Sequence, residues 1–290
     1  MQLDEAQAVL LRAGDGEVVA DRPQRTLRIL TDHELLNLTW FRYEPGQEGP
    51  DPHVHYTHTD AFYVLEGEIE LRLGPDVESV RAPAGTLGAA PPNLVHTFRN
   101  SSDSTAFFLN VHAPGAGFAA MLRARRDGRD EEAAEFDQHD PPGDGGRPLA
   151  DAIVSAPGKG ERIASRSSML VKAGSAGGDG HFSLVETELP AGYPGPPRHL
   201  HRRTVEMFFV LQGAVTLHTV THEAELAPGD FALVPPGVTH TFKNPNASSS
   251  RCVVLAAPGG IETFLREAAA AGPADYPHLG ARFDTFFDEG

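Results

Sequence analysis

The sequence predicts an all-β protein made of two tandem barrels, each followed by a short helix, and three observations support this. Residues 53–67 align without a gap to residues 199–213, and residues 85–100 align to residues 229–244, so one domain occurs twice. Short apolar runs are separated by turn residues about every 8–12 positions, as is typical of closed β-sandwiches and barrels. The 30 glycines and 24 prolines supply the turns that such a fold needs.

Strands are expected in the first copy at short runs of three to nine residues that lie between turns. The expected strands are 26–30, 35–43, 53–55, 61–65, 68–73, 79–81, 87–90, 95–99 and 106–111. Residues 117–126 differ, because Phe118, Met121 and Leu122 have the spacing of a helix. Residues 260–271 form the matching helix of the second copy, and both helices are expected on the outside of their barrels.

The two domains are expected at residues 1–140 and 152–290, with a linker at 137–151 that is rich in Pro, Gly and Asp. Residues 1–20 are expected to form an N-terminal arm, helical at 5–12, of the kind that packs on a partner subunit, so a homodimer is an expectation. The C-terminal tail, with Phe283, Phe286 and Phe287, is expected to dock on the protein. The single cysteine, Cys252, lies in an apolar run and is predicted to be a core residue.

Charge and composition exclude several kinds of partner. The formal net charge of −16 argues against nucleic acid and anionic membrane surfaces, both of which attract basic proteins. No apolar run reaches the roughly 18 residues of a membrane span. The N-terminus lacks the basic-then-apolar order of a signal peptide, and one cysteine cannot form an internal disulfide. We therefore expect a cytoplasmic protein whose partner is a small-molecule substrate.

The chemistry of the chain lies in the repeated blocks. His199 and His201 are two residues apart and project from the same face of a strand. Glu206 begins the next apolar run, and His240 follows a Pro-Pro-Gly turn. Three imidazoles and one carboxylate suit a divalent first-row metal, namely iron, manganese, nickel, cobalt, copper or zinc. The corresponding residues of the first copy are His53, His55, Asp60 and His96, which gives up to two metals per chain.

A purely structural role for these histidines is the alternative interpretation, because a duplicated barrel can retain a motif after metal binding is lost. Another open point is Asp60, which is one methylene shorter than Glu206. His58, in the adjacent loop, is a candidate to substitute for Asp60. The alternative for His58 is a solvated loop histidine.

These residues resemble the two motifs of the cupin superfamily. Gly192, His199, His201, Glu206 and Gly213 match the first motif, with one extra residue after the first glycine, and Gly229, Pro235, Gly237, His240 and Asn244 match the second. The first copy matches likewise, except that Asp60 stands for Glu and Asn93 for Gly, a change that a left-handed turn position tolerates. The resemblance implies a bicupin of two double-stranded β-helix, or jelly-roll, barrels, with the eight residues above as metal ligands.

The resemblance is strongest to the quercetin dioxygenase-like bicupins, because residues 196–201 and 208–211 are similar to motifs of that subgroup. It implies a metal-dependent dioxygenase for an aromatic or enolic molecule, with Glu206 and Asp60 as ligands that also accept a proton. Since the second copy matches more fully, the sequence predicts that Glu206 matters more for turnover. The alternatives are a non-enzymatic small-molecule binding or sensing protein and an isomerase or decarboxylase.

Strand alternation also predicts the pocket walls. If Asp60 and Glu206 point inward, residues two and four further along each strand do so as well, and the same holds for the residues two after His96 and His240. A metal in an apolar cavity suits an aromatic or otherwise apolar substrate. The alternative interpretation is that these side chains are barrel core. They are Phe62, Val64, Phe98, Phe208, Val210 and Phe242.

Overall fold

The structure, a computed structural model, describes residues 7–287. Contacts between residues divide the chain into two compact units, each of which contains one copy of the repeat. The first barrel comprises residues 16–159 and 176–181. The second barrel comprises the described residues up to 15, residues 160–175 and residues 182 onwards. Each unit is built from separate stretches of chain, so the contiguous domain boundaries expected from the sequence stay a prediction.

The elements follow the expected pattern of short strands and two longer helices. The strands up to the first helix are β1 (Val9–Leu11), β2 (Glu17–Arg22), β3 (Arg25–His33), β4 (Leu36–Tyr43), β5 (Thr59–Glu66), β6 (Glu68–Leu73), β7 (Glu78–Pro83), β8 (Leu87–Ala90), β9 (His96–Arg99) and β10 (Ala106–Ala113). The helices that follow are α1 (Phe118–Arg126) and α2 (Asp130–Ala133). Single 3-10 turns lie at Leu149–Asp151, Gly178–Gly180 and Pro273–Asp275.

The remaining elements again consist of a series of strands followed by two helices, with one short strand at the end. They are β11 (Ile153–Ser155), β12 (Glu161–Ala164), β13 (Ser168–Ala173), β14 (Ser183–Leu189), β15 (His199–Leu200), β16 (Val205–Gln212), β17 (Val215–Thr219), β18 (Glu223–Leu226), β19 (Phe231–Val234), β20 (His240–Lys243), β21 (Ser250–Ala257), α3 (Ile261–Ala270), α4 (Tyr276–Arg282) and β22 (Phe286–Phe287). The predicted helices of both copies are thus confirmed as α1 and α3.

In the first barrel, a seven-stranded antiparallel sheet runs in the order β11-β8-β5-β10-β4-β3-β2, and a three-stranded sheet runs β7-β6-β9. Alternate residues of both sheets meet in one hydrophobic core because successive strand residues face opposite sides. Phe62 on β5, Leu71 on β6 and Phe108 on β10 are buried in this core. Burying such side chains stabilises a fold by about 1.5–3 kcal/mol each, before the cost of ordering them.

In the second barrel, the sheets run β1-β19-β16-β21-β14-β13-β12 and β18-β17-β20-β15-β22. Phe208, Leu217 and Cys252 are buried in the core between them. The prediction that Cys252 is a core residue is confirmed, and burial raises the pKa of its thiol to about 12. The C-terminal tail docks as expected, since Phe286 and Phe287 form β22 beside β15.

One expectation is wrong. Val9–Leu11 is a strand and not a helix, because these apolar residues complete the edge of the second barrel's large sheet, where Val9 pairs with Leu233. Residues 5 and 6 of the expected helix lie outside the described residues. Helix α1 packs on the first barrel through Phe118, Met121 and Leu122, which are buried and line a cavity.

Asn93 occupies the left-handed turn position that the sequence predicted for it. Its φ is 63°, and the φ of Gly237 in the second copy is 85°. Asparagine tolerates this region better than most residues that carry a side chain beyond Cβ. The turn that leads into His96 therefore keeps its form despite the substitution.

Across residues 7–287, none of the helices has both the length and the apolar character needed to cross a membrane.

Candidate metal centres

The first cluster combines three separate stretches of the first barrel. His53 and His55 precede β5, Asp60 lies on β5, and His96 begins β9. His53 and His96 form a β-bridge, with a backbone bond from each amide to the other carbonyl, at 3.1 and 2.9 Å. One potential ligand atom from each of the four residues lies within 4.8 Å of the others, and all four side chains are buried.

The second cluster has the same construction. His199 on β15 pairs directly with His240 on β20, and Glu206 lies on β16. His201 follows β15, so the His-x-His spacing places both rings on one side of the backbone. The four potential ligand atoms again lie within 4.8 Å of one another, and the four residues are buried. All eight residues that the sequence suggested as ligands are therefore brought together, four in each barrel.

The two carboxylates differ in how closely they approach the histidines. Glu206 Oε2 lies 2.7 Å from His240 Nε2 and 3.5 Å from His201 Nε2. Asp60 Oδ2 lies 3.2 Å from His96 Nε2 and 3.9 Å from His55 Nε2. The aspartate oxygen is thus 0.5 and 0.4 Å further from the equivalent rings, as expected for a side chain one methylene shorter.

Each of the six histidines has its Nδ1 at a backbone carbonyl, which leaves Nε2 for another partner. In four of them the carbonyl belongs to the residue two positions earlier, at 2.8–3.0 Å: His53, His96, His199 and His240. His55 Nδ1 bonds to the carbonyl of Asp137, and His201 Nδ1 to that of Asp284. Such bonds fix the tautomer and orient metal-binding histidines in proteins.

The donor set fits a divalent metal. Nε2 of His55 and Nε2 of His201 are buried and have no hydrogen-bond partner among the described residues. A buried, unpaired ring nitrogen is unfavourable unless something accepts its lone pair. Six imidazoles and two carboxylates, without thiolate, suit iron, manganese, cobalt, nickel, copper or zinc.

Several pKa shifts suit metal binding, which needs neutral imidazoles and an ionised carboxylate. Burial, and next the neighbouring imidazoles, lowers the pKa of His53 and of His199 to about 3. His201 differs, because burial acts to lower its pKa but the nearby carboxylate of Glu206 outweighs this and raises it. Burial acts to raise the pKa of Glu206, but His201 and His240 outweigh it and lower the pKa. The pKa of Asp60 is likewise lowered, because nearby imidazoles, His112 first, outweigh its burial.

Two aspartates beside the clusters were not predicted from the sequence. Asp284 accepts hydrogen bonds from the amide of Arg203 at 2.8 Å and from Thr204 Oγ1 at 3.0 Å, besides bonding to His201 through its carbonyl. Asp137 does the same for the loop before β5, through the amide and hydroxyl of Thr57. A repeated Phe-Asp pair, at 136–137 and 283–284, was the available signal.

A cavity of about 530 Å³ opens onto the first cluster. His53, His55 and Asp60 lie in its wall, so a bound molecule can reach the metal-binding residues directly. The remaining wall combines aromatic and aliphatic side chains with polar ones, among them Asn110, His112 and Gln138, and with several arginines. The principal wall residues are Leu27, Phe41, Tyr43, Phe98, Phe118, Met121, Leu122, Arg22, Arg25 and Arg125.

The predicted pocket walls are found in two different places. Phe98 lines the cavity. Phe62 and Val64 belong to the core of the first barrel and are not among the residues that line this cavity. Phe208 and Val210 are buried in the core of the second barrel, with Phe242 packed against it. These five side chains therefore lie in or against the barrel core, which was the alternative interpretation.

The second cluster is partly covered by the C-terminal tail. Phe287 packs near His199, with ring centroids 5.7 Å apart, and β22 pairs with β15. A cavity of about 360 Å³ lies beside this tail, and of the four cluster residues only His201 is in its wall. The first barrel therefore offers the larger and more direct approach to its cluster.

Two further histidines surround the first cluster. His58 is 0% exposed and stacks on His55 with ring centroids 4.1 Å apart, so its interpretation as a solvated loop residue is wrong. It does not replace Asp60, which stays in the four-residue cluster. His112 on β10 is paired with Asp60 across the sheet, and its Nε2 lies 3.6 Å from Asp60 Oδ1. His112 lies outside the repeated motifs, so no motif indicated it.

Comparison with known proteins supports this picture. The family model described as Cupin domain matches the chain twice, at residues 39–112 and 185–256, together about half of the chain. Quercetin 2,3-dioxygenase of Bacillus subtilis (strain 168) is 26% identical over 300 residues, which cover 90% of this chain and 86% of that protein.

Solved structures are similar in fold. Oxalate decarboxylase of Lactobacillus farciminis, in its formate complex, is 12% identical with a TM-score of 0.62, over 95% of this chain and 96% of that one. The 7S globulin of Momordica charantia is 14% identical with a TM-score of 0.57, over 87% and 84% of the two chains. At these identities the likeness shows the fold alone.

Proposed function

This chain belongs to the cupin family as a bicupin, and from that premise we propose that it is a metal-dependent dioxygenase acting on an aromatic or enolic small molecule. The cavity of the first barrel carries the proposal. Its volume of about 530 Å³ falls within the roughly 300–1,000 Å³ range of small-molecule sites. The 26% identity to a quercetin 2,3-dioxygenase over 90% of the chain supports the same reaction class.

The residues that would hold the metal of the reactive site are His53, His55, Asp60 and His96. When bound, a redox-active metal would supply the activation of dioxygen that no side chain of the protein can supply. The protein's own contribution is to position the substrate. The aromatic wall, with Phe41, Phe98 and Phe118, provides flat apolar surfaces that hold an aromatic ring and exclude water from the reacting atoms.

Asp60 is placed to accept a proton from the substrate. It lies in the cavity wall, and its lowered pKa keeps it ionised. A carboxylate with a lowered pKa is a weak base, so it accepts a proton only from an acidic hydroxyl. Enols and phenols next to a cationic centre have such a hydroxyl, whereas simple alcohols do not. An enolic or phenolic hydroxyl meets this requirement.

Two further residues of the cavity wall, Tyr43 and Arg125, can make polar contacts with a substrate. Burial raises the pKa of Tyr43 to about 12, so its hydroxyl stays protonated and can donate a hydrogen bond. Arg125, on α1, is exposed at the rim, and its guanidinium has no hydrogen bond or ion pair with any of residues 7–287. A free guanidinium beside an aromatic cavity suits a substrate that carries a carboxylate or phenolate at the end remote from the metal.

The family motifs predict the second barrel as the catalytic one, whereas the cavity favours the first barrel. Glu206 completes the better match to the family pattern, but the tail packs over its cluster and only His201 lines the neighbouring cavity. We therefore propose the first barrel as the catalytic one, with Asp60 as the principal carboxylate. The second cluster would bind metal chiefly as a structural element.

Two other functions use the same fold. A small-molecule binding or sensing protein would retain the cavity without turnover, and an isomerase or decarboxylase would use the metal without consuming oxygen. The test is oxygen uptake by protein loaded with Fe²⁺, Mn²⁺, Co²⁺, Ni²⁺ or Cu²⁺, against flavonols and simpler enols and phenols. We expect stoichiometric oxygen consumption with at least one metal and substrate. Fully metal-loaded protein that binds these compounds but consumes no oxygen would overturn the proposal.

A further inference from the structure

The first barrel contains a second group of buried imidazoles that the repeated motif does not account for. His55, His58 and His112 each offer a ligand atom within 4.8 Å of the other two. Their side chains are 2%, 0% and 1% exposed. The group combines the loop before β5 with β10, and two of its members, His55 and His112, line the 530 Å³ cavity.

In each of the three rings, one nitrogen is engaged and the other has no hydrogen-bond partner among residues 7–287. His55 Nδ1 bonds to the Asp137 carbonyl, and His58 Nδ1 lies 3.2 Å from Asp137 Oδ2. His112 Nε2 lies 3.1 Å from Asn110 Oδ1. Because each of these partners is an acceptor, each engaged nitrogen carries the proton.

The other three nitrogens therefore present bare lone pairs. They are His55 Nε2, His58 Nε2 and His112 Nδ1, and all three are buried without a hydrogen-bond partner among the described residues. Leaving one buried acceptor unpaired costs about 1–3 kcal/mol, and three together are hard to explain by packing alone. A ring oriented by a hydrogen bond at one nitrogen, with the other free, is the arrangement found in metal-binding histidines.

The second barrel serves as an internal comparison. Thr204 and Ala256 stand where the first barrel has His58 and His112; Ala256 pairs with Glu206 across the sheet just as His112 pairs with Asp60. The second barrel keeps the four-residue cluster without these two imidazoles. The three-histidine group is thus an addition specific to the first barrel and not a part of the common motif.

We propose that His55, His58 and His112 form a second metal-binding position in the first barrel, which shares His55 with the four-residue cluster. Only one nitrogen of His55 is free, so a divalent transition metal occupies one position or the other, and the barrel holds one ion at a time. The four-residue position has the carboxylate of Asp60, whose charge favours it. The three-histidine position offers neutral imidazoles only, which suits cobalt, nickel, copper or zinc.

The inference rests on the metal-binding role proposed for His55 and not on the dioxygenase reaction. It is tested with Co²⁺ alone, in a chain whose second barrel is disabled by His199→Ala and His240→Ala. Removing Asp60 and His96 as ligands, by Asp60→Asn and His96→Gln, leaves the three-histidine position intact. We expect this protein to bind one Co²⁺, with a visible absorption spectrum different from that of the parent with both positions.

Adding His58→Gln or His112→Gln to that protein should weaken Co²⁺ binding at least tenfold. His139→Gln is the matched control, because His139 also contacts Asp137, at 2.9 Å, but lies outside the group and is half exposed. It should leave binding unchanged. Circular dichroism and thermal unfolding of each variant separate lost binding from lost folding.

Three results would overturn the proposal. The first is that the folded Asp60→Asn, His96→Gln protein binds no Co²⁺. The second is that Co²⁺ binding is unchanged after glutamine replaces either His58 or His112. The third is that one first barrel binds two Co²⁺ ions at once. Each is measured without substrate or oxygen. If the protein can bind metal at either position but consumes no oxygen, the proposed dioxygenase function is wrong and the three-histidine site is confirmed.

Discussion

The imidazole of His201 donates a hydrogen bond from Nδ1 to the backbone carbonyl of Asp284, over 3.0 Å. The carboxylate of the same aspartate accepts bonds from the loop that follows His201, so one residue holds both the ring and its supporting backbone. Asp137 has the same relationship to His55 in the first barrel. The orientation of one ligand in each cluster thus depends on a residue more than 80 positions further along the chain.

Replacing Asp284 with alanine should weaken metal binding by the second barrel about 10- to 100-fold, because the loop that carries His201 loses its hydrogen-bond acceptors. The measurement is a metal titration in a chain whose first barrel is disabled by His96→Ala and by His55→Ala, the residue that both of its proposed metal positions share. Asp284→Asn, which keeps one acceptor oxygen, should lose less. Equal affinity of the alanine variant and its parent would show that the aspartate does not support the site.

Asp60→Asn should remove most turnover, on the order of a hundredfold, because Asp60 lies in the wall of the large cavity and a neutral amide neither accepts a proton nor offers negative charge. Glu206→Gln should reduce turnover much less. Steady-state rates are compared at equal metal content, measured by elemental analysis. The opposite ranking of the two variants would make the second barrel the catalytic one, as the family motifs alone predicted.

Arg125→Gln should raise KM severalfold for substrates that carry a carboxylate or phenolate and leave kcat within about twofold, because a rim contact is made equally in the ground and transition states. Neutral analogues should be unaffected. The matched control is Arg129→Gln, an exposed arginine that is not among the cavity-lining residues and pairs with Glu132 and Asp127. An equal change of KM for neutral and anionic substrates would argue against charge recognition at this position.

Removing metal with a chelator at neutral pH should lower the melting temperature. A metal that binds only the folded state stabilises it by about 2.7 kcal/mol at a hundredfold excess over its dissociation constant. The effect of the chelator should shrink in the His199→Ala, His240→Ala variant, which loses one of two clusters. If that variant keeps the full metal content of the parent, the assignment of these histidines as ligands is wrong.

The stability of the second barrel should depend on pH through Glu262. Its carboxylate is buried and accepts bonds from Ser175 Oγ at 2.7 Å and Ser183 Oγ at 2.5 Å. Burial alone would raise the pKa, but these hydrogen bonds outweigh it and lower the pKa. A carboxyl whose pKa is lower in the folded state stabilises the protein above its unfolded pKa, near 4.3, and less as pH falls.

Glu262→Gln should therefore reduce the free energy of unfolding at pH 7 by about 1–3 kcal/mol. The difference between parent and variant should narrow at pH 4 and below. Urea unfolding at pH 7, 5 and 4 measures this, with Glu188→Gln, an exposed carboxylate on β14 of the same barrel, as the control. A difference that stays constant with pH would mean that ionisation of Glu262 does not contribute.

The four-residue clusters could be predicted from the sequence because their members lie close to turns and strands with a regular side-chain period. His199 and His201 share a face by the two-residue repeat of a strand, and the glycine before His240 marks the turn that brings it back. The duplication then doubled the evidence, since His53, His55 and His96 occur at the same spacings. Local geometry and repetition were sufficient for these residues.

The remaining features depend on which strands become neighbours, which periodicity does not determine. His112 meets Asp60 only because β10 pairs with β5, and Asp137 reaches His55 only because the chain returns to this loop after α2. The motif match favoured the second barrel, but packing put the C-terminal tail over its cluster and left the large cavity in the first. The sequence by itself determined the fold and the metal-binding clusters, whereas long-range packing decided which cluster a substrate can reach.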